Sequence, residues 1–306
     1  SELFYKRFIE DKDITLFSPH DVPGLYDAYG TPEFDALYEK FERSTKVKKK
    51  KVKAQELFGA ILKERAETGR IYIMNIDHTN THSSFKDQVF MSNLCQEITL
   101  PTEPIDHIDG DGEIALCILS AINLGAVKQK EELENLCDLS VRGLEELIDL
   151  QNYPVRAAEL STKARRSLGI GYIGLAHFLA KNKVKYNSKD AWSLLDEWTE
   201  AFQYYLLKSS NQLAIEKGPC SKFDRTKYSD GILPIDTYKK DVDSIVKRKL
   251  SYDWNTLRQN IKDSGLRHST LSAQMPSESS SVVCNETNGI EPPRDYLSVK
   301  KSKKGP

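Results

Sequence analysis

Ser92-Asn93-Leu94-Cys95-Gln96-Glu97-Ile98 is the stretch around which the rest of the chain can be arranged. It follows a polar, loop-like segment and runs into the β-prone Ile98-Thr99-Leu100, so an extended backbone is predicted. In an extended chain alternate residues share a side, which sets Asn93, Cys95 and Glu97 on one face and Leu94, Gln96 and Ile98 on the other. A thiol between an amide and a carboxylate could remove hydrogen from a sugar carbon, accept the proton of its hydroxyl and hold that hydroxyl in place. The competing reading is an inert thiol on a core strand, and the heptapeptide by itself favours it, because free cysteine is among the most often buried residue types.

Around that stretch lie 306 residues, enough for one large domain or two ordinary ones. A hydrophobic fraction of 39% and a charged fraction of 29% suit a soluble protein, and a formal charge of -1 gives no general reason to expect nucleic acid or an anionic membrane as partner. The cysteines Cys95, Cys117, Cys137, Cys220 and Cys284 are odd in number and widely spaced, with no C-x-x-C pair. Neither a disulfide scaffold nor a zinc site is indicated, and a reducing cytoplasm fits. No signal peptide is visible, and no apolar run reaches the roughly 18 residues of a spanning helix.

Upstream of the heptapeptide, residues 1 to 32 read as a short helix, a strand and a turn-rich loop, and residues 33 to 43 as a helix. The lysine-rich run from Lys46 to Lys53 reads as a solvated face before an amphipathic helix that Gly69 stops. Arg70-Ile71-Tyr72-Ile73-Met74-Asn75-Ile76-Asp77 predicts a strand, and His78-Thr79-Asn80-Thr81-His82 a loop with no metal-ligating role, since it lacks the glutamate of H-E-x-x-H.

Downstream, Asp106 to Glu113 matches no calcium loop and reads as a surface turn. Residues 114 to 125 read as a strand or buried segment, and 129 to 151 as a helix with Cys137 on its apolar stripe. Gly169-Ile170-Gly171-Tyr172-Ile173-Gly174 matches the dinucleotide fingerprint G-x-G-x-x-G, with Asp190 about twenty residues on. The context argues against that role: Lys163 to Leu168 is too basic for a buried parallel strand, and Asp190 follows Asn187-Ser188 at a helix start. A long helix from Asp190 to Lys217 carries an aromatic stripe of core material, and another helix covers 253 to 262. Thr270 to Met275 predicts a strand turning at Pro276 into a serine-rich segment able to cap a helix, where backbone N–H groups and hydroxyls suit a phosphate. Capping with no ligand is the simpler reading of that segment alone. Asn288 to Arg294 then turns into a final strand.

Several of these segments together resemble the large, catalytic subunit of class I ribonucleoside-diphosphate reductase. They are Leu16-Phe17-Ser18-Pro19-His20, Thr68-Gly69-Arg70-Ile71-Tyr72, Ser92 to Glu97, Leu168-Gly169-Ile170-Gly171, Gly231-Ile232-Leu233-Pro234-Ile235-Asp236, Met275 to Ser281 and Asn288 to Arg294. The resemblance implies an α/β fold, part of a ten-stranded α/β barrel made of two five-stranded halves around a central finger loop. Residues 1–91 would end the first half-barrel, 92–100 would be the finger-loop segment, and 101–306 an incomplete second half-barrel. It also implies that Cys95 forms the thiyl radical that abstracts the 3'-hydrogen of the ribose, that Glu97 takes the 3'-hydroxyl proton and that Asn93 hydrogen-bonds the substrate. Cys117 would be one of two cysteines that supply electrons and end as a disulfide. Pro276, Ser277, Glu278, Ser279 and Ser280 would hold the substrate diphosphate.

By the same resemblance this chain binds no cofactor. Its radical would come from a separate metal-containing small subunit, and re-reduction from a dithiol protein such as thioredoxin or glutaredoxin. The family's upstream partner for Cys117, its nucleotide-sensing region, its paired radical-transfer tyrosines and its C-terminal cysteine pair have no counterpart here; Cys284 is a weak substitute for the missing cysteine. The chain therefore reads as a middle piece, working with complementary fragments of the catalytic subunit and with neither nucleic acid nor membrane. Two alternatives stand beside it: a fragment that keeps the fold as a scaffold without turning over, and a relative whose radical comes from adenosylcobalamin. An open half-barrel is expected to self-associate in isolation.

Overall fold

The computed structural model describes residues 2–69, 71–116 and 118–297. They fall into two compact units, one of residues 1–83 with 88–101 and the other of 84–87 with 102–306.

In the first unit α1 (Glu2–Ile9), β1 (Asp13–Phe17), α2 (Glu33–Arg43), β2 (Lys49–Lys53), α3 (Ala54–Thr68) and α4 (Ile76–His82) follow in order. β1 and β2 pair antiparallel, with Ile14 opposite Val52. The lysines of β2 are exposed, as a solvated face requires. Leu3, Ile14, Val22, Leu25, Tyr38 and Ala54 make the core. Tyr38 ties α2 to β1, since its hydroxyl donates to the Thr15 carbonyl at 2.7 Å and accepts from the Thr15 N–H at 2.6 Å. Gly69 closes α3 in the left-handed region at φ 65°.

The strand expected from Arg70 to Asp77 does not form: residues 71–75 carry no regular structure and Ile76 starts α4, which also absorbs the predicted His78–His82 loop. A β-prone run becomes a strand only beside a partner, and among the described residues none pairs with it. Asn80 on α4 then grips the chain entering the heptapeptide, donating to the Val89 carbonyl at 2.9 Å and accepting from the Val89 N–H at 2.8 Å.

The second unit holds β3 (Ile118–Asn123), α5 (Glu132–Leu150), α6 (Arg156–Arg165), β4 (Leu168–Ile173), α7 (Leu175–Lys181), α8 (Lys189–Lys217), α9 (Pro234–Thr237), α10 (Trp254–Ser264) and α11 (Glu278–Val283). β3 and β4 run parallel in a register that sets Ile118 opposite Leu168. Residues 270–273 lie along the other edge of β4: the Leu168 N–H donates to the Thr270 carbonyl at 3.0 Å and the Ile170 N–H to the Leu271 carbonyl at 2.8 Å. Parallel strands need long crossovers, here supplied by the helices, and Leu133, Cys137, Val141, Ile148, Leu206, Leu207 and Leu213 pack with the strands into one apolar core. The described residues are α/β and close no barrel.

The fingerprint glycines Gly169 and Gly171 are residues of β4 itself, and the basic run before it is the end of α6. Neither glycine sits in a strand-to-helix phosphate turn. Gly171 serves close packing: a Cβ there would collide with the Ala273 carbonyl and stand 3.2 Å from the Met275 sulfur. Ser188 caps α8 by accepting from the Ala191 N–H at 3.2 Å, and Gly218 ends it. Residues 106–111 form an exposed turn, whereas Glu113 is buried against Arg165 and Lys222. The segment after Asn288 shows no strand through Leu297; the rest of the expected final strand lies outside the described residues.

A second buried charge group lies where α5, β4 and the chain after α10 meet. The Glu145 carboxylate, fully buried, accepts from Arg166 at 2.8 Å, Arg267 at 2.7 Å and His268 Nε2 at 3.1 Å. Burial alone would raise its pKa; those three donors overcome that and hold it below the ordinary range. For His268 burial dominates the other way, and it stays neutral more readily than a free histidine. With Nε2–H directed at Glu145, its Nδ1 accepts from the Ser210 hydroxyl at 2.9 Å.

Candidate active site

Buried Val89 and Leu100 anchor the two ends of the segment that carries Asn93, Cys95 and Glu97, leaving the heptapeptide between them to project. The heptapeptide is a tight turn instead of the extended run expected. The Gln96 N–H donates to the Asn93 carbonyl at 3.2 Å, the Asn93 N–H to the Ile98 carbonyl at 3.2 Å, and Gln96 takes a left-handed φ of 64°. Alternation therefore fails as the reason for grouping the three residues. The turn itself is closed by the Asn93 side chain, whose Oδ1 accepts from the Ile98 N–H at 3.1 Å and folds the backbone on itself, as short amide side chains do in turns.

That turn puts Cys95 in solvent, which answers the core-strand reading of its thiol. Asn93 is exposed, with its amide nitrogen available to donate while its oxygen closes the turn. Glu97 is half-buried, and its Oε2 is shielded from water with no hydrogen-bond partner among the described residues. A buried carboxylate oxygen without a donor is costly unless some group supplies a proton or a hydrogen bond. The turn thus presents one accessible thiol, one free amide donor and one under-satisfied acceptor.

The serine-rich segment belongs to the other unit. Met275 is buried, Pro276 exposed, and Ser277 buried at the start of α11, with Glu278, Ser279 and Ser280 exposed in its first turn. Ser277 does not cap the helix as the sequence predicts; its hydroxyl donates to Asn288 Oδ1 at 3.3 Å instead. First-turn N–H groups have no carbonyl within the helix to meet, so those of α11 depend on acceptors from elsewhere. Gln274 fastens the approach to this loop by donating to the Tyr172 carbonyl at 2.8 Å.

Of the remaining cysteines, Cys117 lies outside the described residues. Burial, aided at Cys137 by neighbouring Asp138, pushes both the Cys137 and the Cys220 thiols up to about 12, so neither offers a thiolate near neutral pH. Cys284 is exposed just after α11. Among the described residues no cluster of histidine, cysteine, aspartate and glutamate could hold a metal ion, and no helix is long and apolar enough to cross a membrane.

Sequence reasoning missed His177 and Glu286. His177 Nδ1 stands 2.9 and 3.0 Å from the two Glu286 carboxylate oxygens, tying α7 to the chain leaving α11. The one available signal was the pair of glycines, Gly125 and Gly174, against which this pair packs.

The description "Ribonucleotide reductase, barrel domain" belongs to a family whose model matches residues 1–306. The alpha subunit of ribonucleoside-diphosphate reductase from Haemophilus influenzae is 55% identical over 311 residues, covering 100% of this chain and 41% of that protein. The subunit called ribonucleoside-diphosphate reductase 1 subunit alpha in Escherichia coli K12 is 54% identical over the same shares, and the alpha subunit of phage T4 is 44% identical, again over 100% of this chain and 41% of its own length. The chain spans about two fifths of these relatives. On this evidence, with the parallel α/β unit that the fold displays, the chain belongs to the ribonucleotide reductase family, matched over residues 1–306 by its barrel domain.

Proposed function

We propose that this chain is a component of the catalytic subunit of a ribonucleoside-diphosphate reductase, reducing ribonucleoside diphosphates to their 2'-deoxy forms. Completed by the rest of that subunit, it would receive a radical from a metal-containing small subunit and electrons from a dithiol protein such as thioredoxin or glutaredoxin. The observation that carries this reading is the projecting turn on which Cys95 is accessible, in a chain matched over its whole length by alpha subunits of that enzyme.

In the proposed cycle the Cys95 sulfur, as a thiyl radical, takes the ribose 3'-hydrogen. Glu97 accepts the 3'-hydroxyl proton, a role suited to its Oε2, which has no other donor among the described residues. Asn93 holds the hydroxyl with the amide nitrogen that its turn-closing contact leaves over. Cys117 and a cysteine from elsewhere in the assembly supply two electrons and two protons and end as a disulfide while the 2'-hydroxyl leaves as water, and the 3'-hydrogen then returns from Cys95, which regenerates its thiyl radical. Pro276 to Ser280 hold the diphosphate with hydroxyls and first-turn N–H groups.

The test is deoxyribonucleotide formation from a ribonucleoside diphosphate with dithiothreitol, using this chain alone and with the remaining catalytic pieces and the radical subunit. Turnover is expected in the mixture only. Cys95→Ser or Glu97→Gln is expected to abolish it while leaving the assembly intact, and full activity in Cys95→Ser would sink the assignment. Stable assembly that never turns over, in any mixture, would favour the scaffold reading.

A further inference from the structure

α11 is held in place by very little apolar burial. Of its six residues Ser281 alone is buried, while Val282 and Val283 are 75% and 86% exposed. A helix so short, with so small an apolar face, has neither intrinsic stability nor hydrophobic anchorage to fix its position. Its place must come from polar attachments at its two ends.

At the front, Ser277 holds Asn288 and Gln274 holds Tyr172. At the back, the chain leaving α11 folds onto the start of α7. The Gly174 N–H donates to the Thr287 carbonyl at 2.9 Å, the Leu175 N–H to the Gly289 carbonyl at 3.2 Å, and the His177 N–H to the Thr287 hydroxyl at 3.4 Å. This seam satisfies first-turn donors of α7 that no helix carbonyl can reach.

Among the described residues the charged contact in the seam is Glu286 with His177. The Glu286 side chain is 5% exposed and its Oε1 also accepts from the Thr287 N–H at 3.0 Å. Because a carboxylate can only accept, His177 Nδ1 is the donor. Room for the pair is made by two glycines. A Cβ at Gly174 would stand 2.7 Å from Glu286 Cγ, and one at Gly125 would stand 2.7 Å from His177 Nδ1 and 2.6 Å from Glu286 Cδ. Both spacings are closer than real side chains approach, so the backbone on both sides is shaped around this carboxylate and this imidazole.

We propose that Glu286 and His177 are positioning residues for substrate binding. Their pairing fixes the exit of α11 against α7 and thereby holds the Pro276–Ser280 loop in the geometry that receives a diphosphate. The inference rests on the reading of that loop given above. Neither residue touches substrate; both act through the helix between them and the loop.

The experiment measures KM and kcat for cytidine diphosphate, and equilibrium binding of the same nucleotide, in the complete enzyme containing this chain. Glu286→Ala and His177→Ala are each expected to raise KM and the dissociation constant about two- to tenfold, the range for one lost hydrogen bond, with kcat at saturation much less affected. The double variant is expected to cost no more than either single one, because the two changes remove the same contact. His177→Asn restores an N–H near the position of Nδ1 and is expected to recover most of the lost affinity, which general loosening would not allow. Should an alanine variant fail to fold, His177→Phe, which keeps a ring and loses the Nδ1 donor, takes its place as the variant expected to lose affinity, with His177→Asn still the rescue. Unchanged KM in both alanine variants, additive losses, or absence of rescue would overturn the proposal. Ser280→Ala separates the two layers: if it raises KM while the Glu286 and His177 variants do not, the loop reading stands and the positioning role falls. If all of them leave KM unchanged, both fall.

Discussion

Gln96 shows most directly how a single residue sets what the chain can do. A side chain other than glycine held at φ 64° costs energy, about 1–2 kcal/mol against ordinary backbone, and the turn that carries Cys95 depends on it. Glutamine is unbranched at Cβ and bears this better than a β-branched residue would. Gln96→Val is therefore expected to destabilise the turn by roughly 1–2 kcal/mol, seen as faster amide exchange at Ile98, whose N–H closes onto Asn93. Unaltered exchange would show that the turn is held by its flanks, Val89 and Leu100, alone.

Among the elements, β4 is the most constrained, since it is paired on one edge by β3 and on the other by residues 270–273. At Gly171 that third segment leaves no room for a side chain, and replacement by alanine drives a methyl into the Ala273 carbonyl and against Met275. Overpacking of this kind costs about 1–3 kcal/mol. Gly171→Ala is accordingly expected to lower the denaturation midpoint of the unit containing β4 and to displace the lead into Pro276. A midpoint equal to that of the parent chain would mean that 273–275 yields freely.

For the whole molecule, acid is the condition to which the buried charges respond. His268 has a folded pKa below the ordinary 6.5. As pH falls through about 6.5 the unfolded chain takes up a proton that the folded chain refuses, so stability declines with acidification. Arg166 and Arg267 press the same way by opposing a positive imidazole; Glu145 resists but does not prevail. Glu145, depressed below its ordinary 4.5, adds a second loss as pH falls below that value. The melting temperature is expected to drop in two stages between about pH 7 and about pH 3. His268→Gln should flatten the first stage and keep the second; a first stage that survives the substitution would assign it to another group.

The outer edge of β3 has no strand beside it among the described residues, and Leu116 and Leu119 nearby are partly exposed. Unpaired edges and apolar surface favour association, so the isolated chain is expected to give oligomers in light scattering. A monodisperse monomer that melts cooperatively would contradict this.

What the sequence determined by itself was whatever local spacing controls. The apolar period of α5 and α8, the stop at Gly69, and the reading of 114–125 as a strand or buried segment each depend on residues within a few turns of one another. The family was legible for a related reason, because motifs such as Ser92 to Glu97 and Met275 to Ser281 are contiguous. The tertiary structure alone decided contacts between distant parts of the chain. Ile71 to Met74 has the composition of a strand but no partner among the described residues to make it one, and Cys95 reached solvent through a turn that side-chain alternation could not foresee. Glu145 with His268, 123 residues apart, and His177 with Glu286, 109 apart, are met only after the helices have packed. Such pairs leave no periodic trace in the sequence, since their geometry is fixed by how elements dock and not by the spacing of residues along any one of them.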